Sequence, residues 1–308
     1  MKIGILEGKD FSREAMDCLK KIGRVCVFNG GDLGSFLKEK EIIFVRLNYY
    51  IGKDFLDSAN KLKYICTPTT GLNHLDMKEI KKRDITVVSL KGEDFFLSSI
   101  RATPEHALGL ALSLLRNYKE CFLNKKNRKW NRDLFKGNEI YKKNIGIIGF
   151  GRIGRLISKY LFALGANVFF YDIKADLKSH FGEIKSLNLK EMIKKSDLIF
   201  LCASYSDEYR NFFDKKYIDL LKNKYFINIS RGELVDERYL IKKIKINFFK
   251  GIALDVINNE NGNNNLKELI QLIKNNNFIL TPHIGGATYE SMTKTEVFIA
   301  NKLLKLYI

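Results

Sequence analysis

Short apolar runs rich in β-branched residues recur along this chain, separated by stretches whose apolar positions fall three and four apart. In the opening hundred residues "KIGIL" (2–6), "VCVF" (25–28), "IIFV" (42–45), "YICT" (64–67) and "ITVV" (85–88) read as strands. Between them, "SREAMDCLKKI" and "LDMKEIKKR" carry helical spacing. Strands alternating with helices predict a parallel sheet covered on its faces. From residue 144 the alternation restarts with "NIGIIG", "NVFFYD", "DLIFLC" (197–202), "YFINIS" (225–230), "FKGIALDV" (249–256) and "NFILT" (277–281). A helix without a breaker is predicted to join the two series, running from "TPEHALGLALSLL" through "RNYKECFLNKK". Thr103 would be its N-cap, Pro104 its first residue, and Glu105 would face the positive end of its dipole. The tail, "GGATYESMTKTEVFIANKLLKLYI", is amphipathic and helical, and "NNENGNNN" (258–265) reads as a surface loop.

Composition narrows the class. A length of 308 residues suits two domains better than one. The apolar stretch "LGLALSLL" (108–115) is among the longest, well short of the roughly eighteen residues of a membrane span, so no membrane association is expected. The start lacks the long apolar segment of a secretory signal. Five cysteines at 18, 26, 66, 121 and 202 show no CxxC spacing. Disulfides and a metal site are therefore not expected, and a reducing cytoplasm is the natural home. The formal charge of +18 comes with lysines spread along the whole chain, abundant asparagine and only three prolines. That pattern reads as a compositional bias ahead of a nucleic-acid surface, since no arginine-rich tail or aromatic RNA-binding signature accompanies it.

Candidate chemistry begins at "GFGRIG", where Gly149, Gly151 and Gly154 form a GxGxxG between a strand and a helix, with Arg152 and Ile153 inside it. The first glycine permits a tight turn, the second lets backbone approach a pyrophosphate, and the third packs helix on strand. The helix N-terminus beyond offers unpaired N–H groups and positive dipole to phosphates. Asp172 ends the next strand, where a carboxylate can accept from ribose hydroxyls and repel a 2′-phosphate. NAD is favoured over NADP, with the nearby Lys174 weighing the other way.

Three later stretches add charge at predicted strand ends: "INISRGELVD" (227–236), "GIALDVINNE" (251–260) and "TPHIGGAT" (281–288). Arg231, Asp255 and His283 lie at or just past the C-terminal ends of strands, the ligand-binding edge of open α/β sheets, and Glu260 follows a short loop later. Two acidic and two basic groups gathered there suit hydride chemistry on an anionic substrate.

These stretches, with "TPEHALGLALSLLRN" and "GFGRIG…YD", resemble the D-isomer-specific 2-hydroxyacid dehydrogenase family, which includes the D-3-phosphoglycerate dehydrogenases. The resemblance covers nearly the whole chain. It implies an α/β molecule with a Rossmann-type doubly wound parallel sheet over 101–282 and a smaller flavodoxin-like α/β substrate domain from 1–100 and 283–308. It also implies a cleft that closes on NAD and a small anionic 2-hydroxy or 2-oxo acid, and a homodimer. Arg231, Glu260 and His283 match the family's catalytic trio in order and spacing. His283 would be the acid/base, a task that histidine's ordinary pKa of about 6.5 suits near neutrality. Glu260 would orient its ring, and Arg231 would clamp the substrate carboxylate. Asp255 would accept from the nicotinamide carboxamide, while Ile229, Ser230 and Gly286 line the cofactor.

For the substrate, the resemblance points to the backbone of Thr70 and Gly71 in "TPTTGLNHLD", and to Arg46 in "FVRLNYY". Leu47, Asn48 and Tyr49 stand where phosphoglycerate-specific members often add a second basic residue, which argues against 3-phosphoglycerate. Arg101 either reaches a polar substrate or is a solvated loop charge. His74 and His106 read as structural, His180 as a loop residue. Two departures stand out: "CAS" (202–204) replaces the family's frequent His-x-Pro, and Asn261 replaces the proline after the catalytic glutamate. The carboxy-terminal regulatory domain of many such enzymes is not expected. The competing expectation is an NAD(H)-sensing, co-repressor-like scaffold of the same fold with little turnover.

Overall fold

The computed structural model describes residues 1–123, 130–174, 184–275 and 277–307; His180 lies outside them. The chain divides into two compact units, one of residues 1–100 with 287–308, the other of 101–286.

The first unit holds β1 (Lys2–Ile5), β2 (Arg24–Val27), β3 (Ile42–Phe44), β4 (Tyr64–Cys66) and β5 (Thr86–Val88). All pairings are parallel, in the order β2-β1-β3-β4-β5, the flavodoxin-like order. Strand alternation divides its core. Ile42 and Phe44 pack with Ile3, Ile5, Leu19 and Ile299 on one face, and Ile43 and Val45 with Leu37, Leu56 and Ile80 on the other. The helix Tyr289–Leu304 brings the end of the chain back to cover the first of these faces.

The second unit holds β6 (Asn144–Ile148), β7 (Asn167–Tyr171), β8 (Lys185–Ser186), β9 (Leu198–Leu201), β10 (Tyr225–Asn228), β11 (Gly251–Leu254) and β12 (Phe278–Leu280). Its order is β12-β11-β10-β9-β6-β7-β8, again all parallel. The chain moves outward from β6 to β8, then returns to β9 on the other side of β6. That reversal makes the sheet doubly wound and opens a crevice at the C-terminal ends of β6 and β9. Strands β9, β10 and β11 are buried along their whole length, as befits the centre of a sheet covered on both faces.

Three features depart from the sequence expectation. The two exposed residues of β8 form no apolar run, so hydrophobic pattern could not reveal them. The joining helix stops early, at Ala102–Leu115, with Arg101 rather than Thr103 as N-cap. Asn117 adopts a left-handed φ of 54°, its side chain donates to the Lys136 carbonyl, and a separate helix runs from Tyr118 to Leu123. The second unit also continues through Gly286, past residue 282. The backbone N–H of His283 donates to the Asp255 carbonyl at 2.8 Å, which ties the 281–286 turn to the end of β11.

Candidate active site

The glycine turn joins β6 to the helix Arg152–Ala163. Gly149 has φ 91°, and a Cβ there would stand 2.5 Å from the backbone of Ala203. Glycine is therefore required twice, for conformation and for the close approach of the β9 loop. A Cβ on Gly154 would lie 2.2 Å from the Gly149 carbonyl oxygen, so the third glycine lets the helix close on the turn. Gly151 is different. Among the described residues nothing lies within 4 Å of a Cβ placed there, and none of their side chains caps the helix it begins. Space beside a glycine at the start of a helix is what the close approach of a dinucleotide's pyrophosphate requires. Arg152 and Ile153, in the helix's first turn, are half-buried. Asp172 accepts from the Phe150 N–H at 2.7 Å and from the Lys174 N–H at 2.9 Å, so it also braces the turn.

Arg231 follows β10 directly. Asn228 shapes its turn, accepting from the Ser230 N–H at 3.0 Å and donating to the Arg231 carbonyl at 3.1 Å. The Ser230 hydroxyl donates to the Ala203 carbonyl, and Ile229 and Ser230 are buried. A Cβ on Gly232 would fall 2.0 Å from the Ile257 carbonyl carbon, so this glycine lets the β10 and β11 loops pack backbone to backbone. Burial works against the Arg231 charge, and Glu260, Glu233 and Asp255, in that order, support it. Arg231 is thus a half-buried cation among carboxylates, and its Nη1 donates to the Ser230 carbonyl at 2.7 Å.

His283, with φ 54°, sits in a left-handed turn. Its Nδ1 is 2.7 Å from Glu260 Oε2, and the two side chains are 20% and 27% exposed. The pair is close enough for a charge-assisted bond and open enough to meet a ligand.

Asp255, only 1% exposed, is held by donors from its own unit. Its Oδ1 accepts from the Ile284 N–H at 2.9 Å, the Thr281 hydroxyl at 2.6 Å and His106 Nε2 at 3.2 Å. Its Oδ2 accepts from the Gly285 N–H at 2.8 Å. Three donors meet Oδ1 and one meets Oδ2, so Asp255 shapes the histidine turn and Oδ2 keeps an acceptor position for the expected nicotinamide carboxamide. His106 belongs to this network, more than the helix-turn residue expected. Gly286 follows, where an added Cβ would meet none of the described residues within 4 Å.

In the first unit Arg46 also departs from expectation. Its Nε donates to Glu296 Oε1 at 2.9 Å, its Nη2 contacts the same oxygen, and its Nη1 donates to the Lys9 carbonyl at 3.3 Å. Its fork and charge are already matched by a buried partner. Thr70 and Gly71 lie past β4, in a turn braced by Thr69, whose hydroxyl donates to the Gly71 carbonyl at 3.0 Å. His74 is buried beside Thr67. Arg101, in the second unit, is exposed at the start of the 102–115 helix. Sequence reasoning passed over Glu233, Glu237 and Thr281; acidic or hydroxyl residues next to candidate groups were the available signal.

Residues 108–285, more than half of the chain, match the model of the D-isomer specific 2-hydroxyacid dehydrogenase, NAD binding domain. The chain belongs to this family. The D-3-phosphoglycerate dehydrogenase of Methanocaldococcus jannaschii is 29% identical over 310 residues, covering 99% of this chain and 57% of that protein. The chain therefore spans little more than half the length of that relative. The hydroxypyruvate reductase of Thermotoga maritima is 27% identical over 278 residues, covering 89% of this chain and 87% of that protein. The NAD-dependent formate dehydrogenase of Staphylococcus aureus, solved in complex with NAD, superposes with a TM-score of 0.85 at 25% identity, covering 100% of this chain and 96% of that one. Family membership makes residues 108–285 an NAD-binding domain, in agreement with the space beside Gly151. No helix among the described residues is long and apolar enough to cross a membrane.

Proposed function

We propose that this protein interconverts a D-2-hydroxy acid and its 2-oxo acid using NAD, with His283 as the acid/base. The 2.7 Å pairing of His283 Nδ1 with Glu260, on the ligand edge of an NAD-binding sheet, carries this reading. When bound, the nicotinamide accepts or supplies the hydride. The chain's own groups supply the rest. Glu260 holds the proton of His283 on Nδ1, which leaves Nε2 to take the hydroxyl proton in oxidation and return it in reduction. The same carboxylate steadies the imidazolium when it forms. Arg231 presents a planar fork that suits the substrate carboxylate, and its half-buried setting strengthens that attraction. The Gly149–Gly154 turn and Asp172 hold the dinucleotide, with Arg152, Ile153, Ile229, Ser230 and Gly286 beside it. Backbone N–H groups of Thr70 and Gly71, and the exposed Arg101, are the candidate contacts for the rest of the acid; Arg46 is not among them.

The relatives' names differ in the acid each acts on, so the test is a panel. Incubation with NADH and a range of 2-oxo acids should consume the nicotinamide absorbance with at least one of them, and His283→Ala should abolish that turnover. Tight NADH binding without turnover across the panel would instead favour the sensing scaffold.

A further inference from the structure

The asparagine-rich loop 258–265 carries Glu260, yet six of its eight residues are asparagine, and such a segment has no core of its own to hold it. Hydrogen bonds give it a shape. Asn259 takes a left-handed φ of 55° and its side chain donates to the Asn263 carbonyl at 3.0 Å. The Asn264 side chain donates to the carbonyls of Asn259 and Glu260, each at 3.2 Å. These bonds are internal to the loop and fix nothing relative to His283.

The anchor lies beneath. Glu237 opens the helix Glu237–Lys245, whose N-cap, Asp236, accepts from the Tyr239 N–H at 3.0 Å. Its side chain reaches both ends of the loop. Oε2 accepts from the Asn258 N–H at 2.7 Å, and Oε1 accepts from the Asn265 side chain at 2.7 Å. Glu233 adds a weaker tie, accepting from the Asn259 N–H at 3.2 Å. Glu237 is only 4% exposed. Burial, Glu233 and Glu260 all push its carboxyl above the ordinary range, against the two donors. A buried carboxylate beside two others is costly, and the loop geometry is what it supports.

We infer that Glu237 is a positioning residue for proton transfer: it clamps both ends of the 258–265 loop and so holds Glu260 against His283. The inference rests on the shuttle reading given above. An error of about 1 Å at a reacting group can cost a hundredfold in rate, so a loop this poor in packing needs a fixed support.

Two readouts on the full-length protein test it. With ring-labelled histidine, the chain's four imidazoles are separable by NMR, and His283→Asn identifies the one of interest. The Nδ1–H held by Glu260 should give a downfield proton that disappears in Glu260→Gln. Glu237→Ala should broaden or remove the same proton, lower kcat roughly ten- to a hundredfold, and leave NADH affinity unchanged. Glu237→Gln, which keeps one acceptor, should fall between, as should Asn265→Ala, which removes one clamp and serves if Glu237→Ala does not fold. The kcat losses of Glu237→Ala and Glu260→Gln should not multiply in the double variant. An unchanged proton and kcat in Glu237→Ala and Asn265→Ala, or fully multiplying losses, overturns the inference alone. A wild-type signal indifferent to Glu260→Gln overturns the shuttle reading and the inference with it.

Discussion

Glu296 is fully buried, and both its oxygens are occupied: one by the Arg46 guanidinium, the other by the Ser12 N–H at 2.8 Å. Removing Arg46 would strand a buried carboxylate, which typically costs about 3–5 kcal/mol. Arg46→Met should therefore lower the urea midpoint sharply and leave KM for the 2-oxo acid unmoved. A raised KM at unchanged stability would return Arg46 to the substrate. The opposite pattern is expected at His283. His283→Ala should lower kcat by about two to four orders of magnitude, the usual share of general acid–base catalysis, with NADH affinity and unfolding free energy close to wild type. Sequence made Arg46 visible as a basic residue at a strand end, but its partner stands 250 positions away and no local pattern links them. Arg231, Glu260 and His283 were visible because each closes a strand or its loop in a family-like stretch. Asp255 was visible too, yet its neighbours in space, His106 and Thr281, decide its role.

At the level of elements, the three glycines of one turn separate fold from ligand. Gly154→Ala places a methyl 2.2 Å from a backbone oxygen, and Gly149→Ala combines a collision with φ 91°, so both should destabilise the second unit by several kcal/mol. Gly151→Ala meets nothing within 4 Å among the described residues. Its unfolding free energy should stay within about 0.5 kcal/mol of wild type, while NADH affinity falls, because the methyl occupies ground the pyrophosphate needs. Equal losses of stability in Gly151→Ala and Gly154→Ala, by chemical denaturation, would contradict this division. The elements themselves were largely legible. Each β-branched run quoted from the sequence became a strand, because burial on two faces demands continuous apolar residues. The break at Asn117 was not legible, since a lone asparagine turns left-handed only when something such as the Lys136 carbonyl meets its side chain. The asparagine-rich segment read as a surface loop, and its tie to Glu237 was not legible for the same reason: the partner lies on another element.

Across the whole molecule, two buried carboxylates with opposite shifts give the unfolding free energy a distinctive pH dependence. Burial acts to raise the Asp255 carboxyl, but hydrogen bonds from His106 and Thr281, then His106's charge and the Ile284 N–H, outweigh it and hold the group below its ordinary range. Its unfolded value is about 3.9, so its contribution is present above that pH and lost as pH falls through the lower folded value. Glu237 runs the other way. Its raised carboxyl contributes stability fully below its unfolded value of about 4.3 and loses it as pH rises through the folded value. At neutrality the ionised Glu237 therefore contributes less stability than its protonated form would, a cost of the kind functional sites retain. Urea unfolding between pH 3 and pH 8 should show this in the differences from wild type. Asp255→Asn should be less stable at neutrality, with the gap closing below about pH 4, where wild-type Asp255 also becomes protonated. Glu237→Gln should start lower, having lost an acceptor, and gain on wild type as pH rises from about 4 towards neutrality, where only the wild type must bury the charge. Stability curves for Glu237→Gln and wild type that stay parallel over that range would mean that the Asn258 and Asn265 donors fully offset the burial of the charge, so that the carboxyl is not raised.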